Sequence, residues 1–159
     1  MPNWCENTLK VTGSREALDE FKKRAASRHR DGNGHNRRVA LSFNRFVRMP
    51  RKLRYTTSPQ DTPNWYDWSL LNWGTKWDLA DVRLSRKKDG TELLYEFDTA
   101  WSPPTQWLES VVKKYPSLTF ELNFEEPGMG FAGILVGDGG EIVENRALEV
   151  SNQEEEEEE

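Results

Sequence analysis

A chain of 159 residues, 35% hydrophobic and 31% charged, is most simply one domain, in which seven Trp and seven Phe supply the apolar area that the composition otherwise lacks. No apolar run approaches a membrane span, the N-terminus lacks the charged-then-apolar pattern of a signal peptide, and the single Cys5 excludes a disulfide framework and a Cys-based metal site, so a cytoplasmic protein without membrane contact is expected. The net charge of −5 conceals a polarity that suits a nucleic-acid partner, an interaction tail or mutual attraction of the two halves, since residues 1–88 hold 19 Lys/Arg against 9 Asp/Glu and residues 89–159 hold 3 against 18.

The first predicted element is an alternating strand, 8–12, with Leu9 and Val11 on one face. Ser14 then offers an N-cap to a helix running to about Ala26, with Leu18, Phe21 and Ala25 on one stripe and Glu16 near the positive end of the dipole. Residues 27–39, containing Asp31-Gly32-Asn33-Gly34, read as a flexible loop, and His29 and His35 within it suit solvent better than a metal. An apolar piece of ambiguous type, 41–47, ends at Pro50, and 55–64 is again loop-like. Trp65, Trp68 and Leu71 suggest a brief helical turn leading into the indole-rich Asn72-Trp73-Gly74-Thr75-Lys76-Trp77-Asp78.

A strand from Val82, a turn at Asp89-Gly90 and a return strand to Trp101 form a predicted hairpin, whose Leu93, Tyr95, Phe97, Thr99 and Trp101 share one face. Ser102 as N-cap, Pro103 at the first helical position and Pro116 as a stop bracket a second helix with an apolar stripe of Trp107, Leu108, Val111, Val112 and Tyr115. Strict alternation over 118–125 predicts a further strand, and a Gly-rich turn at 127–130 precedes a last hairpin with arms at 131–136 and 141–143. Helices and strands with one apolar face each fit an α+β two-layer sandwich, and right-handed crossovers favour the ferredoxin-like split β-α-β arrangement. The expected organisation is one ferredoxin-like domain over 1–150, with a long Trp-rich insert at about 28–81 after the first helix and an extra C-terminal hairpin. The glutamates at the end of 151–159 read as a disordered, solubilising tail.

Four stretches together resemble the YubB ferredoxin-like domain family: 1–7 with Leu9, Val11 and Gly13; Asn72 to Asp78; Thr99-Ala100-Trp101-Ser102-Pro103-Pro104; and Glu126-Pro127-Gly128-Met129-Gly130-Phe131-Ala132-Gly133. The resemblance spans residues 1 to about 145 and implies a phage- or plasmid-associated bacterial protein with a ferredoxin-like core. It implies no reaction and no cofactor, and one cysteine could not ligate an iron–sulfur cluster.

Three groups of residues could carry chemistry. Trp73 and Trp77 could wall a pocket in which Lys76 and Asp78 make polar contacts, with Trp101 packed beside them; the same segment also suits a structural plug turned by Gly74. Glu96, Asp98, Glu121 and Glu125 should share the sheet face away from the helices, where paired carboxylates could bind a hard cation or act as acid and base, or could simply be solvated. Arg28, Arg30, Arg37, Arg38, Arg45, Arg48, Arg51 and Arg54 could contact phosphates, or could neutralise the acidic face or tail. No phosphate-binding glycine loop, nucleophile elbow or metal-spacing motif occurs. The favoured expectation is a non-enzymatic binding module that engages a host protein or small ligand through the Trp-rich loop. The alternatives are a nucleic-acid binder using the basic stretch 22–54 and an enzyme using the open-face carboxylates.

Overall fold

The computed structural model describes residues 2–30 and 33–150. In chain order the elements are β1 (Trp4–Thr12), α1 (Arg15–Ala25), β2 (Ser27–Arg30), β3 (Asn36–Val39), α2 (Trp65–Asn72), β4 (Val82–Arg86), β5 (Glu92–Ala100), α3 (Thr105–Lys114), β6 (Thr119–Glu126), β7 (Phe131–Asp138) and β8 (Glu141–Leu148), with short 3-10 turns at Phe43–Arg45 and Arg51–Leu53. The main sheet runs β4-β5-β1-β6-β7-β8 with antiparallel neighbours throughout. Its first four strands, with α1 and α3 as crossovers, make the ferredoxin-like split β-α-β core, and β7 and β8 extend it past β6.

Side-chain alternation sets one face of the sheet against the helices. Leu9 and Val11 of β1, Leu93, Tyr95 and Phe97 of β5, and Phe120 and Leu122 of β6 are all buried there. Ser14 accepts the Ala17 N–H at 3.2 Å and so caps α1, which turns Leu18, Phe21 and Ala25 inward. Phe21 is the hub of the packing: its ring stacks on Phe46 with centroids 5.2 Å apart and meets Tyr115 and Phe120 edge-on at 5.3 and 5.6 Å. Phe43 plays the same part toward α3, 4.9 Å from Trp107. The apolar piece after β3 is therefore core, with Leu41, Phe43 and Phe46 carried in by the first 3-10 turn.

Three local expectations are corrected. The segment expected as a flexible loop is the β2–β3 hairpin; its flanks are charged and only Val39 among the β3 residues is buried, so it has no apolar alternation to betray it. Ser102 does not cap α3, which begins at Thr105, because Pro103 and Pro104 each bar the preceding residue from helical geometry. Instead the Ser102 hydroxyl donates to the Gly74 carbonyl. Trp101 does not continue the buried face of β5: the strand ends at Ala100, and Trp101 adopts φ +70° with its side chain half-exposed. The glutamate tail lies outside the described residues.

Trp107 of α3 is fully buried against Phe43 and Phe46. Trp107→Ala should lower the unfolding free energy in urea by about 3–5 kcal/mol, whereas Leu71→Ala, at a residue 75% exposed, should change it by less than about 0.5 kcal/mol.

Candidate functional site

The four stretches singled out in the sequence meet at one end of the sheet. The Asn3 carbonyl accepts the Trp101 N–H at 2.8 Å, the Thr75 hydroxyl donates to the Ala100 carbonyl at 3.0 Å, and the Trp107 N–H reaches the Trp73 carbonyl at 3.3 Å. The turn after β6 winds around the buried side chain of Glu126, whose carboxylate accepts the N–H groups of Gly128 and Met129. Gly128 sits so close to Asn3 that a Cβ on it would lie 3.0 Å from the Asn3 Cγ.

Behind this junction is a buried polar cluster. Asn7 Nδ2 donates to the Thr99 hydroxyl at 2.9 Å and to the Cys5 carbonyl at 3.0 Å, and the Thr99 hydroxyl donates onward to the Ser102 carbonyl at 2.6 Å. Cys5 is fully buried, and that burial pushes its thiol from an ordinary 9.0 up to about 12, with the nearby Glu126 charge acting in the same direction. Such a thiol is a packed hydrophobe rather than a nucleophile.

Within the indole-rich segment, the residues divide by direction. Trp73 is 4% exposed, packs against Phe43 and Trp68, and donates its ring N–H to the Val47 carbonyl at 2.8 Å. Gly74 turns the chain at φ +88°, where an added Cβ would come within 3.1 Å of backbone atoms of Pro103 and Thr105. Asp78 faces its own chain. It accepts the Ser42 hydroxyl at 2.6 Å, the Phe43 N–H at 2.6 Å, the Asn44 N–H at 3.2 Å and the Leu79 N–H at 2.8 Å. Trp77 points outward, 43% exposed, with the Lys76 ammonium 4.0 Å from its ring centroid.

Trp77 meets a second indole that strand parity brings from β1. Trp4, 46% exposed, lies 6.2 Å away with the two rings tilted by 37°. They line a cleft of about 350 Å³ with Asp78, Ala80, Asp81, Asp98, Thr99 and Ala100. A more polar cleft of about 610 Å³ shares Asp81 and Asp98 with it and continues along Glu6, Thr8, Arg83 and Glu96. The sequence reading began β1 at residue 8 and so missed Trp4 and Glu6 as site residues; extending the alternation of Thr8 and Lys10 backward would have put both on the open face. Trp101 joins through its backbone alone among the described contacts, beside Asn3.

Glu96, Asp98, Glu121 and Glu125 all lie on that open face. In register, Asp98, Glu6 and Glu125 stand side by side across β5, β1 and β6, and Glu96, Thr8 and Asn123 form the next row. Glu96 pairs with Arg83 at 3.3 Å and Glu121 with Lys10 at 3.4 Å. Among the described residues, no three His, Cys, Asp or Glu gather closely enough to hold a metal ion.

The arginines are divided. Arg28 and Arg38 are register partners on one face of the β2–β3 hairpin, while Arg37 on the other face reaches Asp81 at 3.4 Å. Arg30 belongs to β2 opposite Asn36. Arg45 donates its Nε to the Arg24 carbonyl at 2.9 Å near the end of α1, and with Arg24 and Arg48 it lines a separate hollow. Arg51 lies in the second 3-10 turn and Arg54 directly follows it.

A family model described as a ferredoxin-like domain in Api92-like protein matches residues 72–159. The crystal structure of a protein api92 from Yersinia pseudotuberculosis superposes with a TM-score of 0.74 over 96% of this chain and 100% of that one, at 9% identity, which is a likeness of fold. No curated protein matches. The resemblance to the YubB family is thereby corrected to the Api92-like one.

Two outcomes follow from this geometry. Asp78→Ala strands donors of Ser42, Phe43 and Asn44 and should cost about 3 kcal/mol in urea unfolding, while Lys76→Ala should cost less than about 1 kcal/mol. Because folded Cys5 keeps its proton to about pH 12 and unfolded Cys5 loses it near 9.0, stability should fall as pH rises through that window. The thiol's share of that fall is at most about 1.4 kcal/mol per pH unit. Urea titrations at pH 8 and pH 10 should show Cys5→Ala lacking that component.

Proposed function

The chain belongs to the Api92-like family with a ferredoxin-like domain, and from that premise we propose that it is a binding module whose ligand enters the cleft between Trp4 and Trp77. One observation carries this reading: two indoles stand half-exposed and 6.2 Å apart beside a cleft, in a protein whose Trp73 and Trp107 are fully packed away. Leaving two large aromatic surfaces in water forgoes stabilisation that burial would supply, and aromatic walls with a few polar groups are the usual composition of a ligand site. Asp78 belongs to the scaffold of that site, because all its bonds go to neighbouring chain. Lys76 remains a site residue through its position over Trp77.

The competing readings have less support. A nucleic-acid surface would gather its cations on one face, but here Arg37 and Arg45 are spent on bonds within the chain and the broad open sheet carries carboxylates. An acid–base enzyme would present a carboxylate in a sequestered site, whereas Glu6 and Asp98 stand exposed on an open face.

The test is a screen of cationic, neutral and anionic small molecules followed by the indole N–H resonances of the labelled protein. At least one compound class should move the Trp4 and Trp77 signals and leave Trp107 in place. Trp77→Ala should abolish those shifts while lowering Tm by less than about 5 °C. A panel that moves neither indole, or a Trp77→Ala protein as unstable as Trp73→Ala, would overturn the proposal.

A further inference from the structure

We infer that the ligand of the Trp4–Trp77 cleft is a basic peptide segment in extended conformation, with a guanidinium or ammonium group against the indoles and a second cation over Glu6. This rests on the cleft being a binding site and adds the chemistry of what it binds.

The first support is the composition of the groove. An indole face attracts cations through its quadrupole, and a carboxylate nearby adds a direct charge partner. Here Asp81 and Asp98 are shared by the aromatic cleft and its polar continuation, so one groove leads from the indoles onto the acidic sheet. The Lys76 ammonium 4.0 Å from the Trp77 centroid shows that this ring already seats a cation from its own chain.

The second support is unbalanced charge at one place. Asp98, Glu6 and Glu125 are direct cross-strand neighbours, an arrangement of like charges that disfavours the folded sheet. The surrounding carboxylates each have a cation: Glu96 has Arg83, Glu121 has Lys10 and Asp81 has Arg37. Among the described residues, Glu6 and Asp98 have no ion-pair partner. A cation laid over them supplies what the chain does not, and a phosphate-bearing ligand would be repelled from the same row.

Spacing sets the form of the ligand. Trp4 and Glu6 stand two residues apart on the open face of β1, which separates the two cation seats by about 7 Å. An extended peptide advances about 3.3 Å per residue and shows every second side chain on one face, which puts cations at i and i+2 about 7 Å apart. A segment of the form Arg-x-Arg therefore fits, with one side chain at Trp4 and Trp77 and the next at Glu6.

The test compares acetyl-Gly-Arg-Gly-Arg-Gly-amide with the same peptide carrying citrulline, which keeps the shape of arginine without its charge. The arginine peptide should move the Trp4 and Trp77 indole resonances and should bind at least about tenfold more tightly than the citrulline peptide. Raising salt from about 20 to about 200 mM should weaken it severalfold. Asp98→Asn should weaken it about fivefold, and Lys76→Met, which removes the competing cation, should tighten it about threefold. Equal binding of the citrulline peptide, or no effect of Asp98→Asn, would overturn the ligand class; the binding-site reading would survive, because in either case a peptide would still have moved the two indoles. An arginine peptide without effect, where the small-molecule panel does move them, also removes the ligand class alone. Silence of both indoles toward every probe removes both proposals.

Discussion

The carboxylate of Asp78 closes the long excursion between α1 and β4. One side chain accepts hydrogen bonds from Ser42, Phe43 and Asn44 at one end of that excursion and from Leu79 at the other. Ionised acceptors make the stronger hydrogen bonds, and the backbone donors of Phe43 and Asn44 have few other places to go. Their capture holds the 3-10 turn at Phe43–Arg45, and that turn is what delivers Phe43 to Trp107 and Phe46 to Phe21. The insert thus becomes part of the core.

The same constraint explains why Trp77 faces water. Thr75 is drawn inward by its bond to the Ala100 carbonyl, and Asp78 is drawn inward by the turn at Phe43. The two residues between those anchors are carried outward, and β1 supplies Trp4 opposite them. Exposure of the indoles is therefore built by the scaffold. On the other side of the cleft the acidic row extends across β5, β1 and β6, none of them an edge strand, although β4 stops pairing with β5 at Phe97, one residue short of Asp98. A site made of such strands keeps its geometry better than one made of loops.

How much of this was legible in the sequence depended on whether apolar periodicity carried the signal. It did for α1, for β5 with Leu93, Tyr95 and Phe97, and for β6 with Phe120 and Leu122, and those elements in order determine the ferredoxin-like arrangement. It did not for β2 and β3, whose residues pair through backbone bonds with almost no buried side chains. The start of α3 was misread because Ser102 is a good cap by type, whereas its hydroxyl is taken by a carbonyl from a remote segment. Asp78 could not be recognised as an internal brace, since its partners are more than thirty residues away and depend on the folded insert. Trp4 was hidden by a strand begun four residues late, and with it the cleft.

The junction at the end of the sheet ties these observations together. Four stretches that are distant in the chain use glycines, short polar side chains and one buried glutamate to meet at close quarters, with Thr99 serving both Asn7 and the Ser102 carbonyl. Desolvating so many polar groups is costly unless each finds a partner, and a hydrophobic plug of the same volume would be the simpler way to finish a core. What the polar junction achieves is position: it sets the first residues of β1, the last of β5 and the turn after β6 relative to the segment that carries Trp77. Those are the elements from which the aromatic cleft and the acidic row are made. The polar residues below hold the geometry in which Trp4, Trp77, Glu6 and Asp98 stand exposed on one face.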